Sequence, residues 1–507
     1  METFLLRAQL EGVEEDFIPQ EPEEITREWL FAVINQYRKV RDLSLLAHPD
    51  DITDCSIDEC DTSHGYLSTT YKLLANFRCK NPLGSEECSY AFFLKMLPGI
   101  EDKHRKLLWN TEVFRKEIQA QFHLLPLLQQ FLAQNCDPPV EMRLLPDVVY
   151  GSFDDKHGDG IVVLMDLNER GFFPMDHYFG LSLAQLERVV ERLAEFHGSG
   201  SAALLKTAKS GDKQKQTLAG QFQQFHADNQ KRRQSYYESL YPQYRDFAKF
   251  LRKVPGYSHF FDIVDQLRPH LVDIMNKAEK RKSRFPFKAI LHGELWDKNI
   301  LFRYEQLTQH LEFVLTDWKH LSVGSPCQDL AFLILSSTNK TLRHKHLKHI
   351  LTKYFHLYCN HLKKVHSLQF PKPGFTLEQF VQEYQEASLG AFLQVVTVMI
   401  REVKYLEAEF LNAVADGSDE ALSSALGEQL RILGRRLLEL ADEFIPQLSP
   451  LPAPSGTLES GNLSPGCTST SSFRSHRLIK PGCQILESAT IENRRYLITN
   501  DDEQKKQ

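Results

Sequence analysis

The apolar rhythm of the chain changes near residue 168, and this change limits the possible folds more than any other feature. From residue 50 to 168 apolar residues fall in short runs at strand spacing; beyond Asn168 they recur at helical spacing. Runs over 55–60, 67–77 and 89–97 read as strands, joined by segments carrying SHG at 63–65 and NPLG at 81–84 as turn signals. A helix is expected over 103–134, then strands over 144–150 and 160–167. Strand, strand, strand, helix, strand, strand suits an α+β region built on one antiparallel sheet. A helix over 20–46 precedes it, and LSLAQLERVVERLAEFH at 181–197 follows as a strongly amphipathic helix with Ser182 as its cap. Residues 208–235 read as helical or partly extended, and helices are expected over 262–282, 341–366, 376–411 and 420–445. Two short strands, 299–304 and 311–317, interrupt that series. The expected division is a helical extension over 1–49, a sheet lobe over 50–168, a helical lobe over 169–446 and a tail over 447–507. The tail is rich in Pro, Ser, Gly and Thr and has too little apolar surface to offset its ordering entropy. A small strand-rich lobe followed by a larger helical one implies a cleft between them.

Composition excludes several classes of function. The net charge is −7, and the basic stretches KAEKRKSR (277–284) and HKHLKH (344–349) read as solvated helix faces, so nucleic-acid binding is not expected. Nine cysteines make an odd number, and there is no C-x-x-C pair. Cys55 with Cys60, and Cys79 with Cys88, are spaced too widely for zinc, which leaves reduced thiols of a cytoplasmic protein. The start of the chain lacks the basic and then apolar segments of a signal peptide. The apolar run 389–400 is shorter than the about 20 residues of a membrane span. Nothing indicates an oligomeric state.

Chemistry concentrates in two places. HGELWDKN at 292–299 packs a histidine, two carboxylates, an amide and a glycine into eight residues. FVLTD at 313–317 is an apolar strand ending in a carboxylate. If the strands beginning at Asn299 and ending at Asp317 form a hairpin, the two side chains approach each other. Their oxygens suit a hard cation such as magnesium; equally, each residue could simply cap a turn.

Together the two segments resemble the phosphotransfer core of kinase-like enzymes, with Asp317 eighteen residues after Asn299. Protein kinases carry H-R-D with an Asn five residues on, then D-F-G. Here Gly293 replaces the Arg, Trp318-Lys319 stands where Phe-Gly would be, and no A-P-E segment follows. The pattern is closer to aminoglycoside phosphotransferases and choline kinases, with H-G-D-x-x-x-x-N. HGELW (292–296), NILF (299–302), GSPCQDL (324–330), VLMDLNERGF (163–172) and LAEFH (193–197) narrow the resemblance to the ecdysteroid-kinase-like family, over most of residues 50–420. A chance match to one such motif is easy; the ordered set of five is not.

The resemblance implies a bilobal protein-kinase-like α+β fold, ATP and Mg2+ as cofactors, and a small-molecule hydroxyl as acceptor. A steroid alcohol, an ecdysteroid, leads as acceptor; choline or ethanolamine is the rival. Lys95, near the end of the run SYAFFLKML (89–97), takes the place of the lysine on the α- and β-phosphates. Its partner is Glu117, in the family's F-x-x-E arrangement with Phe114, and Glu112 is the local competitor. Asn299 and Asp317 hold the metal. Ser63, Gly65 and Ser68 belong to a turn whose N–H groups could touch phosphate, although a plain hairpin explains that stretch equally well. Asp166 lies in the segment joining the lobes, beside the cofactor. His292 and Asp329 are structural supports of the catalytic loop. Trp296, Tyr384, Phe392 and Tyr405 are expected to line an apolar acceptor pocket, while Glu383 and Glu386 suit a quaternary amine.

Glu294 is where the chain departs from the family, which has Asp there to accept the acceptor's proton. Glu adds one methylene and hardly changes basicity, about 4.3 against about 3.9 in model peptides. Position is the larger issue, since a displacement on the order of 1 Å can cost a hundredfold in rate. Two functions of different class follow: a phosphotransferase, or a nucleotide-binding module that has lost turnover. Asp297 is a conceivable substitute base if it faces the cleft. A scaffold function has no positive motif behind it.

Overall fold

The computed structural model describes residues 17–60, 68–81, 84–97, 112–136, 142, 144–154, 159–208, 217–254, 256–280, 286–305, 310–366, 376–404 and 425–448. The tail expected from residue 447 falls outside these residues from 449 onward; Gln447 and Leu448 still belong to a helix. Among the described residues no helix is long and apolar enough to cross a membrane.

The fold is α+β: an antiparallel five-stranded sheet, then a mostly helical region. The sheet is formed by β1 (Ile52–Glu59), β2 (Thr69–Asn81), β3 (Gly84–Met96), β4 (Val148–Phe153) and β5 (Gly160–Met165), in the order β1-β2-β3-β5-β4. Side chains alternate across a strand. Phe92, Leu94 and Met96 of β3 therefore share one buried face with Trp29, Leu30 and Ile34 of helix α1 (Arg27–Val40). Thr26 caps α1 through the Trp29 N–H at 3.2 Å. Phe93 falls on the opposite face, against Phe114 and Ile118 of α2 (Val113–Gln119) and Val162 and Leu164 of β5.

Three elements depart from the sequence expectation. The strand expected over 144–150 starts only at Val148, and Pro146, which lacks a ladder donor, lies just before it. The helix expected over 103–134 is described only from Val113 and is interrupted by a π turn over Ala120–Leu124 before α3 (Leu125–Asn135). Pro126, in the first turn of α3, has no N–H for the carbonyl four residues back. The long helix expected over 262–282 is two pieces, α7 (Ser258–Leu267) and α8 (Leu271–Lys280), with Pro269 at the joint.

In the helical region α4 (Leu183–Thr207) packs along α10 (Lys340–His366), and α9 (Cys327–Ser337) against α11 (Leu377–Lys404). The capping box at Ser182 and Gln185 starts α4. Helices α5 (Leu218–Glu238), α6 (Tyr241–Lys253) and α12 (Ala425–Leu448) complete the layer. Two small strand pairings frame the segment 292–299. Strand β7 (Ala289–Leu291) pairs with β10 (Ser322–Gly324), and β8 (Ile300–Glu305) with β9 (His310–Leu315), with β6 (Phe173–Pro174) along β8.

Candidate active site

Lys95 comes from β3, opposite Thr70 of β2 and Val162 of β5. Period two places it with Phe93, on the face that α2 covers. Phe114 and Ile118 seat α2 on that face, and Glu117, three residues after Phe114, lies on the same helical stripe. Lys95 Nζ donates to Glu117 Oε1 at 2.6 Å, and Gln121 Nε2 supports the same oxygen at 2.9 Å. Of the two nearby glutamates, Glu117 is the one brought to Lys95.

The loop 292–299 is held from below by Asp329 in the first turn of α9. Its carboxylate accepts from the His292 N–H at 2.6 Å and the Gly293 N–H at 2.9 Å. His197 Nε2 of α4 lies 3.2 Å from the same carboxylate, and its Nδ1 lies 2.6 Å from the Tyr354 hydroxyl of α10. A carboxylate only accepts, so Nε2 of His197 donates. Burial pushes the Asp329 carboxyl up, but His197, His292 and the Gly293 N–H outweigh it and hold the group below its usual range. Gly293 adopts φ +89°, and a Cβ there would collide with the His320 carbonyl. Glycine is needed at this position for backbone reasons alone.

Two bonds to Thr316, one from the His292 side chain and one with the Asn299 backbone, tie this loop to the segment that ends in Asp317. His292 Nε2 donates to the Thr316 carbonyl at 2.8 Å, and its Nδ1 accepts the Glu294 N–H at 3.4 Å. Burial lowers the pKa of the His292 ring, in keeping with a neutral imidazole that donates at one nitrogen and accepts at the other. Asn299 Nδ2 donates to the Glu294 carbonyl at 2.9 Å, and the Thr316 N–H donates to the Asn299 carbonyl at 2.9 Å. Asn299 closes the short turn Asp297–Asn299 rather than opening the strand, which begins at Ile300. Trp318, fully buried, donates its Nε1–H to the Leu315 carbonyl at 3.0 Å and packs on the His292 ring.

Asp317 follows β9 with a left-handed backbone, φ +67°. Non-glycine residues seldom take this conformation, which costs roughly 1–2 kcal/mol; Asp tolerates it better than most. Asp317 Oδ1 lies 3.4 Å from Lys95 Nζ, and Oδ2 is ion-paired with Lys319 Nζ. Lys319 Nζ also lies 3.3 Å from Glu294 Oε2, and His320 Nε2 lies 3.4 Å from that oxygen. Burial pushes the Asp317 carboxyl up, yet Lys319 and Lys95 hold it far below the usual carboxylate range. Glu294 is likewise raised by burial and lowered further by Lys319 and then His320, for a net fall. Burial leaves His320 at about 4, so at neutral pH Lys319 supplies the positive charge beside Glu294. Burial lowers Lys319, but Asp317 and Glu294 raise it well beyond the ordinary lysine value.

The site thus brings together Lys95, Glu117, Glu294, Asn299 and Asp317, with His292 and Asp329 beneath. The remaining expected residues make other contacts. Asp166 is buried beyond the end of β5, where its carboxylate accepts the Asn168 N–H at 2.9 Å and faces Lys72 Nζ at 3.4 Å. Ser68 precedes β2, two residues from the partner of Lys95; Ser63 and Gly65 lie outside the described residues. Asp297 does not join Glu294. Its N–H donates to Ser337 Oγ at 2.9 Å, and its carboxyl, raised by burial to about 6, faces Arg436 at 3.9 Å. Tyr384 and Phe392 fill the core instead of lining a pocket, Phe392 stacking on Phe444. Trp296 is half-buried with Lys298 Nζ over its ring, Glu383 is buried, and Tyr405 lies outside the described residues. Sequence reasoning missed Lys319 and His320 as site residues, and also Tyr236, whose ring meets His320 at 5.0 Å. The available signal was a lysine two residues after the strand-end Asp317.

Asn299 and Asp317 offer oxygen donors of the kind a hard divalent cation takes. Asn299 commits its amide N–H to the loop, which leaves Oδ1 as an oxygen donor, and Asp317 stays ionised. Among the described residues no cluster of three or more His, Cys, Asp or Glu could hold a metal. Magnesium needs only one or two protein oxygens when phosphates and water complete its shell.

A lysine–glutamate pair spanning sheet and helix is thus set against a backbone-anchored loop with two carboxylates. The ecdysteroid kinase-like family model matches residues 62–367, more than half of the chain, and the protein belongs to that family of small-molecule kinases. No curated protein matches the sequence. Among solved structures it is similar to amicoumacin kinase hAmiN, in complex with AMP-PNP, Ca2+ and Ami. The identity is 11% and the TM-score 0.33, over 81% of this chain and 96% of that one.

Proposed function

We propose that the protein transfers the γ-phosphoryl group of ATP to a hydroxyl of a small, largely apolar molecule. One observation carries this: Lys95 meets both Glu117 and Asp317, and Glu294 lies one ammonium group away from Asp317. Residues from distant motifs thereby meet at a single point.

In this mechanism Lys95, oriented by Glu117, contacts the α- and β-phosphates. Asn299 Oδ1 and the Asp317 carboxylate would hold magnesium, which would offset the charge of the transferring group. Glu294 accepts a hydrogen bond from the acceptor hydroxyl and aims its oxygen at the γ-phosphorus. The new O–P bond forms as the bond to the ADP oxygen breaks, and the hydroxyl proton passes to Glu294. A carboxylate held below its ordinary pKa is a weak base. Phosphoryl transfer passes through a loose transition state that relies on positioning and charge more than on early proton removal, so a weak base that orients the hydroxyl suffices. The family supports a steroid alcohol as acceptor, and the missing A-P-E segment disfavours a polypeptide.

The test is to incubate the purified protein with ATP, magnesium and a panel of ecdysteroids, choline, ethanolamine and hydroxylated xenobiotics. Products heavier by one phosphoryl group are sought by mass spectrometry, with Asp317→Asn as the blank. A phosphorylated steroid supports the proposal in full, and phosphocholine as sole product overturns the acceptor. No product, alongside ATP-induced stabilisation against melting, leaves a nucleotide-binding protein without turnover.

A further inference from the structure

The mechanism above gives no task to Lys319, yet its ammonium lies between two carboxylates of the site. It projects from the three-residue turn Trp318–His320, which the buried Trp318 fixes in place. Its ammonium is ion-paired with Asp317 Oδ2 and lies 3.3 Å from Glu294 Oε2. Lys95 lies 3.4 Å from the other Asp317 oxygen. Both oxygens of the carboxylate assigned to the metal therefore face an ammonium group already.

The charges nearly balance without a metal. Glu117, Glu294 and Asp317 contribute three negative charges, and Lys95 and Lys319 two positive ones. The two lysines are not equivalent. Lys95 is anchored to Glu117 at 2.6 Å and reaches Asp317 only at 3.4 Å. Lys319 makes the closer contact with Asp317, and Glu294 is the carboxylate it keeps on leaving. A divalent cation at Asp317 must displace that ammonium or bind beside it, and charges a few ångströms apart at a half-buried site repel appreciably.

Resting on the assignment of Asp317 to the metal, we propose that Lys319 is a resident cation of the site. It competes with the divalent metal for Asp317 and so sets the metal concentration that the protein needs. While the metal is absent it keeps Glu294 and Asp317 from repelling each other. Glu294, one methylene longer than the family's Asp, provides the second seat for the ammonium.

The probe is Mn2+ in the presence of AMP-PNP, with free Mn2+ followed by electron paramagnetic resonance and folding checked by thermal melting. Lys319→Gln removes the charge and is expected to bind Mn2+ on the order of tenfold more tightly than the wild type. Unchanged or weaker binding by the folded variant overturns the proposal. Should that variant fail to fold, Lys319→Arg decides. It keeps the charge and can grip a carboxylate through two N–H groups, so it should weaken Mn2+ binding severalfold; wild-type or tighter binding overturns the proposal. Asp317→Asn is the control and should lose Mn2+ binding. Retained binding there would sink the metal assignment and this proposal together. Loss there, with indifference to both Lys319 variants, sinks this proposal alone.

Discussion

Asp329 and Asp317 are two carboxylates serving the same loop, and they are satisfied in opposite ways. Asp329 accepts two backbone N–H groups and a histidine that is itself held by Tyr354. None of those donors can leave without dismantling the loop or parting helices α4, α9 and α10. Asp317 is met by the ends of two lysine side chains, each of which has a second carboxylate to turn to. A buried carboxylate bonded to backbone belongs permanently to the fold. One bonded only to flexible ammonium groups is stable when alone and still open to exchange. That difference is what the proposed metal site at Asp317 requires.

The comparison can be broken at either end. The largest effect is expected at the exchangeable carboxylate: Asp317→Asn should lower phosphoryl transfer on the order of a thousandfold. Its melting temperature should fall less than that of an Asp329 variant, because Lys95 and Lys319 keep Glu117 and Glu294. Equal losses of stability at the two positions would erase the distinction. Next, Asp329→Ala leaves two backbone N–H groups and His197 unpaired, and should cost about 3–5 kcal/mol in urea unfolding. Its pH dependence sharpens the point. Asp329 is held below the usual 3.8, so its contribution is complete above that value and is lost as pH falls through the lower folded-state pKa. The stability gap between wild type and Asp329→Asn should therefore narrow only below about pH 4; a gap that is flat down to pH 2 would contradict this. A smaller effect is expected at Glu294: Glu294→Gln should lower turnover roughly tenfold to a hundredfold, and Glu294→Asp should keep or raise it. Equal rates for wild type and Glu294→Gln would remove Glu294 from the chemistry. The smallest effect belongs to Lys72, half-exposed between Asp166 and Glu169. Lys72→Ala should change stability by less than about 1 kcal/mol and leave turnover alone.

Much of the sheet could be read in advance because alternation is a local signal. Lys95 shares a face with Phe93, and Glu117 follows Phe114 by one helical turn; short-range spacing carries both facts. The pairing of β7 with β10 could not be read, since three residues on each strand are too few for a period to register. Nor could periodicity separate Tyr384 and Phe392 in a core from the same residues on a pocket wall, because both faces are apolar. The pairing of Asp166 could not be read for a related reason: its partner Lys72 comes from a strand nearly a hundred residues earlier. Lys319 was passed over because a lysine two residues after a strand end most often points into solvent. Its burial follows from Trp318 beside it, whose ring turns inward and holds the backbone of the turn against the loop.

The two bonds joining the loop to the strand end have a consequence for how motion here can be timed. The His292 ring and the Asn299 carbonyl, both bonded to Thr316, cross-link the backbone that carries Glu294 to the backbone that carries Asp317. The Thr316 amide hydrogen is one of those cross-links, donated to the Asn299 carbonyl. Its exchange with deuterium from solvent requires that bond to open. The exchange rate of this one proton is therefore a clock for how often the two acidic segments come apart, readable without adding substrate or metal.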